Sequence, residues 1–400
     1  MICAYLDIEI DQKKIGRIVV ELYQDKAPKA CENFLRLCKG DVSLPSQASD
    51  DSQIQDKHVL SFRNNKFHRV IKNFMIQAGD IVYGSNEGEI SKELLGKGGC
   101  SIFAQSFPNQ NADISINGNF EDENLGPLDE PMTLAMANMG EPNTNSSQFF
   151  IVTYPSPHLN NKHSIFGKVL HGKSVVRTIE RTPVNSSDGV PFKNVVISDC
   201  GEWNESMPVP LYVSCASTIG GDTYEEYPDD EKSIGEEDFS KAFEVTNTIK
   251  ESGTLLFKQK KYQDALFKYL KSLRYLNEYI PDYDVDQDNN KKFCLLKVKL
   301  YLNICLCHFN LRNYEESIKF ATYVLELEYK VDNVDEGKAY FRRASCSLQK
   351  KQLEKALKDF QKCKEVNPNE KSIDTKIAQV EQQIAENKEK TKKSIAKFFS

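Results

Sequence analysis

Two hydrophobic rhythms divide this chain of 400 residues. Up to about Trp203, short runs rich in β-branched and aromatic residues alternate with Gly, Asn, Pro and Asp; residues 15–22, 149–153 and 195–199 are examples. Such runs, broken by turn formers, predict a mostly antiparallel β domain of many short strands over 1–203. Residues 27–38 depart from that rhythm and read as a helix, with Pro28 near its start and Gly40 just past its end. Ala30, Phe34, Leu37 and Cys38 then share one face.

Beyond Phe239 apolar residues recur every three or four positions and proline is nearly absent, which predicts helices. A loose repeat runs through this part. Gly253, Tyr262, Ala265 and Tyr269 are echoed by Cys305, Tyr314, Ser317 and Ala321, then by Ala344, Leu353, Ala356 and Phe360, closed by Pro368. Small residues at a helix crossing, a bulky residue opening the second helix and a proline at the end describe a tetratricopeptide repeat. The spacings exceed the ideal of about 34 residues, and a polar insertion at 281–290 lengthens the first unit. Three helix pairs over 239–370 would stack into an all-α superhelix with a concave binding face. Ile373, Ile377, Val380 and Ile384 predict a last helix within 371–400 that caps the stack. Its basic tail, with Lys388, Lys390, Lys392, Lys393 and Lys397, could also bind calmodulin or an acidic surface.

Between the two rhythms, residues 204–238 read as an acidic linker. From 220 onward nine Asp and Glu, from Asp222 to Asp238, face the single Lys232, a composition that buries little. The other reading of this stretch is a docking tail for a basic partner.

Composition narrows the classes. A chain this long exceeds one hydrophobic core. The net charge of −6 argues against a nucleic-acid partner held by a basic surface. No apolar run approaches the ~20 residues of a membrane span, and the start, Met1-Ile-Cys-Ala-Tyr-Leu-Asp7, lacks the features of a signal peptide. Eleven cysteines, an odd number without repeated spacing, point to a reduced protein of the cytoplasm, with the nucleus open as a second location. Cys305, Cys307 and His308 could be read as part of a metal site. They lie in a helical apolar pattern without a second pair, so buried helix positions are expected, with no metal or cofactor.

Several separated motifs stand in fixed order in the first half. They are Phe67-His68-Arg69-Val70-Ile71-Lys72-Asn73-Phe74-Met75-Ile76-Gln77-Ala78-Gly79-Asp80, then Met136-Ala137-Asn138, then 143–150 ending in Gln148-Phe149-Phe150, then His163 to Val169. Over 1–203 the chain resembles the cyclophilin family. The resemblance implies a closed eight-stranded antiparallel β barrel with two helices, and peptidyl-prolyl cis/trans isomerase activity on proline-containing polypeptides.

That chemistry needs no nucleophile, base or metal. Rotation about a peptide bond breaks amide resonance, a barrier of ~18–20 kcal/mol, and prolyl bonds cross it unaided in tens of seconds or longer. A catalyst must hold the ring, exclude water and favour the twisted amide over either planar form. In the twisted state the prolyl nitrogen regains a lone pair. A fixed guanidinium can donate to it, and Arg69 is the candidate. The resemblance further implies a proline pocket floored by Phe74, Met75, Phe150 and Leu159. It gives Gln77, Ala137, Asn138 and Gln148 the substrate backbone, and places His68 and His163 along the cleft, His68 as an orienting group beside Arg69.

Three departures stand out. His158 replaces the family's rim tryptophan, which implies weakened affinity for cyclosporin, and the same change marks the large repeat-bearing members. Extra residues at 86–95 and 108–119 flank the glycine turn Gly96-Lys97-Gly98-Gly99, and 41–58 is a polar insertion.

Barrel, acidic stretch and three repeats together resemble the cyclophilin-40 family. The resemblance implies a carboxylate clamp for the acidic C-terminal peptide of heat shock protein 90, built here from Lys250, Thr254, Asn303, Lys338 and Arg342. Thr254 stands where the family has asparagine, and Lys338 and Arg342 fall one helical turn apart. A scaffold that binds proline peptides with little turnover is the competing reading; the intact Arg69, Phe74, Gln77, Asn138, Phe150 and His163 favour catalysis.

Overall fold

The computed structural model describes residues 1–46, 57–85, 93–108, 115–207, 214–215, 217–235, 237–368 and 371–398, without the side chains of 371 and 392–398. The chain forms two compact units, 1–213 and 214–400.

In the first unit the strands are β1 (Ile2–Ile10), β2 (Lys13–Leu22), β3 (Val42–Pro45), β4 (Lys57–Leu60), β5 (Asn65–Lys66), β6 (Arg69–Ile71), β7 (Met75–Ala78), β8 (Gly98–Cys100), β9 (Ser115–Asn117), β10 (Thr133–Met136), β11 (Phe149–Val152), β12 (Ile165–His171) and β13 (Val195–Trp203). The helices are α1 (Pro28–Lys39) and α2 (Lys173–Glu180). Nine of the strands form one curled sheet in the order β5-β13-β1-β2-β12-β10-β11-β7-β6, where eight strands were expected. The two edges lie close along the chain. Phe67 N–H donates to Val195 of β13, and the next residue, His68, donates to Gln77 of β7. Pro28 opens α1, and Gly40 ends it in a left-handed conformation, φ +64°, that glycine adopts without strain.

Alternation along the strands makes two apolar layers of different purpose. Val70, Ile76, Ala78, Phe149 and Ile151 enter the main core, where Phe34 of α1 meets the rings of Phe62, Phe149 and Phe166 at 5.3, 5.0 and 5.3 Å. Their neighbours Met75, Phe150 and Val152 point the other way, into a small separate cluster with Ala135 and Ile165. That second cluster underlies the site. Of the three insertions, β3 and β4 pair at the ends of 41–58, while 47–56, 86–92 and 109–114 lie outside the described residues.

The second unit is helical: α3 (Phe239–Lys258), α4 (Tyr262–Tyr279), α5 (Gln287–Asn310), α6 (Tyr314–Leu325), α7 (Asn333–Gln349), α8 (Leu353–Val366) and α9 (Lys371–Phe398). The second helix of each pair starts on Tyr262, Tyr314 or Leu353, as the repeat predicts. Each turn before it is built alike. Lys260, Arg312 and Lys351 take φ +62°, +61° and +59°. Lys261, Asn313 and Gln352 then bond back to Leu256, His308 and Ser347, the six-to-one closure of a Schellman motif. Cys305 and Cys307 are fully buried in α5 and His308 nearly so, stacked on Phe320. Ile373 and Val380 of α9 are buried, Val380 against Ala344, Ala356 and Phe360, which covers the last pair as a cap does. Lys388 and Lys390 are exposed, whereas the side chains of Lys392, Lys393 and Lys397 lie outside the described residues.

The acidic stretch is not a free linker. From 214 it belongs to the helical unit. Asp222, fully buried, pairs with Lys268 at 2.5 Å and Lys271 at 2.7 Å, both buried on α4. Glu226 pairs with Arg274, whose guanidinium covers the Tyr227 ring at 4.6 Å. Composition counted the carboxylates as solvated. Partners on α4 neutralise two of them, and Tyr224, Tyr227 and Ile234 bring apolar surface to the same helices.

Candidate functional site

Register sets one row of the site. Arg69 of β6 lies opposite Gln77 of β7, Gln77 opposite Phe150 of β11, and Phe150 opposite Ala135 of β10. Four neighbouring strands therefore carry a cation, an amide, an aromatic ring and a small residue side by side on the outer face. A cavity of about 160 Å3 opens over this row, lined by Arg69, Phe74, Met75, Gln77, Ala137, Asn138, Phe150, Leu159 and His163. Met75 and Phe150 are buried beneath it, and Phe74, Ala137 and Leu159 pack partly buried against the same cluster.

Hydrogen bonds fix the polar members. Gln77 Nε2 donates to Gln148 Oε1 at 2.8 Å, and Gln148 Nε2 donates to the carbonyls of Gly96 and Gly98 at 2.8 and 2.7 Å. The glycine turn is held by the buried carboxylate of Asp80, which accepts from Gly96 and Gly98 N–H at 2.7 and 3.2 Å. Asn138 Nδ2 donates to Lys162 O at 2.8 Å. His163 faces the Met136 carbonyl at 3.0 Å through Nδ1, so that nitrogen carries the proton. Its ring stands edge-on to Phe150, centroids 5.1 Å apart. Burial lowers its pKa from the usual histidine value.

Three of the expected residues stand outside the lining. Gln148 acts one step back, through Gln77. His158 is exposed, its ring 5.0 Å from that of Phe74. His68 does not reach the cavity. It precedes Arg69 and so takes the opposite side of the strand, where it is 5% exposed, close under Gly96. Burial lowers its pKa too, against the opposing pull of Asp80.

In the helical unit Lys338 and Arg342 line one cavity of about 400 Å3 with Leu306, Phe309, Val334 and Phe341. Arg342 donates to the carbonyl of Leu302 on α5, next to Asn303, and burial lowers its pKa. Lys250 and Thr254 sit on α3 and do not line that cavity. Thr254 is tied to Tyr269 of α4 at 3.3 Å, and burial pushes the pKa of that phenol up to about 12. Lys250 pairs with Glu251, and Lys338 with Asp335 at 2.7 Å.

Residues 5–202 match the model of the cyclophilin type peptidyl-prolyl cis-trans isomerases, and 337–370 match the tetratricopeptide repeat. The chain is also 56% identical, over 99% of its length and 98% of the relative's, to "Peptidyl-prolyl cis-trans isomerase CYP7" of Saccharomyces cerevisiae. It is 35% identical over the same shares to "Peptidyl-prolyl cis-trans isomerase D" of Kluyveromyces lactis. This chain belongs to the cyclophilin family.

It is a peptidyl-prolyl isomerase of the repeat-bearing, cyclophilin-40 type. Cyclophilins act on proline-containing peptides, and tetratricopeptide domains bind peptide partners. Sequence reasoning about this isomerase passed over Tyr269, Phe309 and Phe341. A signal existed for two of them: Tyr269 holds a repeat position, and Phe341 adjoins Arg342. It also overlooked Asp80, whose carboxylate organises the glycine turn.

Proposed function

We propose that the isomerase works by desolvating the prolyl bond over Phe74, Met75, Phe150 and Leu159 while Arg69 donates to the pyramidal nitrogen of the twisted amide. The observation that carries this reading is the shared cavity of Arg69, Gln77, Phe74 and Phe150. A planar prolyl amide offers the guanidinium little, because its nitrogen lone pair is delocalised. The hydrogen bond therefore strengthens as the bond turns, which is where catalysis needs it. A gain of ~5–7 kcal/mol would raise the rate by about four to five powers of ten. Ala137 and Asn138 align the substrate backbone, and Gln77, braced by Gln148, holds the peptide beside Arg69. His68 supports the glycine turn from beneath. With His158 at the rim, cyclosporin binds with weakened affinity. The curled sheet functions as a closed barrel, rigid enough to keep this row fixed.

The helical unit takes the C-terminal acidic peptide of heat shock protein 90 through Lys250, Asn303, Lys338 and Arg342. The cavity beside Lys338 and Arg342 supports this reading, since two cations over an apolar wall suit a peptide that ends in carboxylates and carries apolar side chains. One paired experiment tests both halves. Arg69→Ala should lower turnover of a proline peptide by about 10²–10³-fold in a protease-coupled assay and leave calorimetric binding of an acidic tail peptide intact. Lys338→Ala with Arg342→Ala should do the reverse. Variants that keep both activities refute the assignment.

A further inference from the structure

The turn between β6 and β7 carries Phe74 into the cavity on a bent backbone, with Asn73 at φ +58°. Asparagine is among the few residues that tolerate this conformation. The bend leaves the Asn73 N–H outside the strand ladder, and it donates to Glu180 Oε1 at 2.8 Å. On the other side of Phe74, the carbonyl accepts from Thr153 N–H at 2.9 Å. The Thr153 hydroxyl donates to the same Glu180 Oε1 at 2.7 Å. Arg177 Nη1 completes the mesh, donating to Glu180 Oε2 at 3.1 Å and to the Thr153 carbonyl at 2.8 Å.

Thr153, Arg177 and Glu180 are 0, 2 and 3% exposed, and none of them lines the cavity. A buried pair of this kind adds little stability over an apolar replacement. What it fixes is position. We propose that Glu180, at the end of α2, is a positioning residue of the isomerase, acting through Phe74. It holds the Lys72–Asn73 peptide group directly and the Phe74–Met75 peptide group through Thr153, so the turn is gripped on both sides of Phe74. The placement of the ring against a substrate proline is thus set from α2. The proposal rests on the reading that Phe74 floors the proline-binding cavity.

The test compares proline-peptide kinetics of the full chain for wild type, Glu180→Ala, Glu180→Gln, Phe74→Ala and the double alanine variant, each checked for folding by thermal melting. Glu180→Ala should raise KM roughly ten-fold with a smaller loss of kcat, because a displaced ring weakens ground state and transition state alike. Glu180→Gln keeps a carbonyl acceptor for Asn73 and Thr153 and should recover most of that loss. In the Phe74→Ala background, Glu180→Ala should have no further effect, since the ring it places is gone. Additive losses in the double variant overturn the proposal, as does a wild-type KM in folded Glu180→Ala while Phe74→Ala is defective. A wild-type KM in Phe74→Ala refutes the site reading itself and this proposal with it. Should Glu180→Ala fail to fold, Thr153→Val carries the same test. Its KM must rise, and the rise must vanish without the Phe74 ring.

Discussion

The phenol of Tyr269 donates to the hydroxyl of Thr254 across the α3–α4 pair at 3.3 Å, while Thr254 itself donates to the carbonyl of Lys250 at 3.1 Å. A hydroxyl has one proton to give, and here it is spent on the helix. Thr254 therefore cannot hand a donor to an incoming carboxylate without breaking that bond, which weakens the clamp at the position where the family has asparagine.

Thr254→Asn should supply the missing donor. Tail-peptide affinity is expected to rise by about 1 kcal/mol, roughly five-fold, in a calorimetric titration. An unchanged affinity would mean that the peptide does not pass this point of α3.

Replacing Arg69 should separate charge from geometry. Arg69→Ala is expected to lower kcat/KM by about 10²–10³-fold, the usual loss of one transition-state donor. Arg69→Lys keeps the charge but not the planar fork, so it should recover only a minor part. Full recovery with lysine would show that the field alone matters.

Three histidines give the protein a shared acid limit. Burial lowers the pKa of His68, His163 and His308 from the ordinary value of 6.5. Below about pH 6.5 the unfolded chain binds protons that the folded chain resists, so unfolding becomes more favourable as pH falls. Stability is complete above that pH and declines as the pH drops through the lowered folded values. Melting temperatures taken from pH 8 to 5 should show this fall, and His163→Gln should reduce it. A flat profile would contradict the burial of these rings.

Asp222 should matter more to the helical unit than any exposed acid of the same stretch. Asp222→Ala leaves the buried ammonium groups of Lys268 and Lys271 unpaired, a loss of about 3–5 kcal/mol. The helical melting transition should shift down while isomerase activity at room temperature persists. Glu237→Ala, at an exposed position, is the comparison and should change little.

Local pattern determined a great deal about this protein. Turn formers and alternating runs marked the strand-rich half, and Pro28 and Gly40 bracketed α1. The spacing from Gly253 to Tyr262, repeated at Cys305 and Ala344, placed the second helix of each pair, because a helix crossing and the turn after it are built from neighbouring residues. The order of motifs around Arg69 identified the isomerase. Tertiary structure decided the rest. The reach of the Tyr269 phenol to Thr254, the cover of Gly96 over His68, the docking of Asp222 on α4 and the hold of Glu180 on the Phe74 turn all bring together residues 15 to 107 positions apart. Composition can count a carboxylate or a hydroxyl. Whether water or a buried partner receives it is settled only when distant segments are packed together.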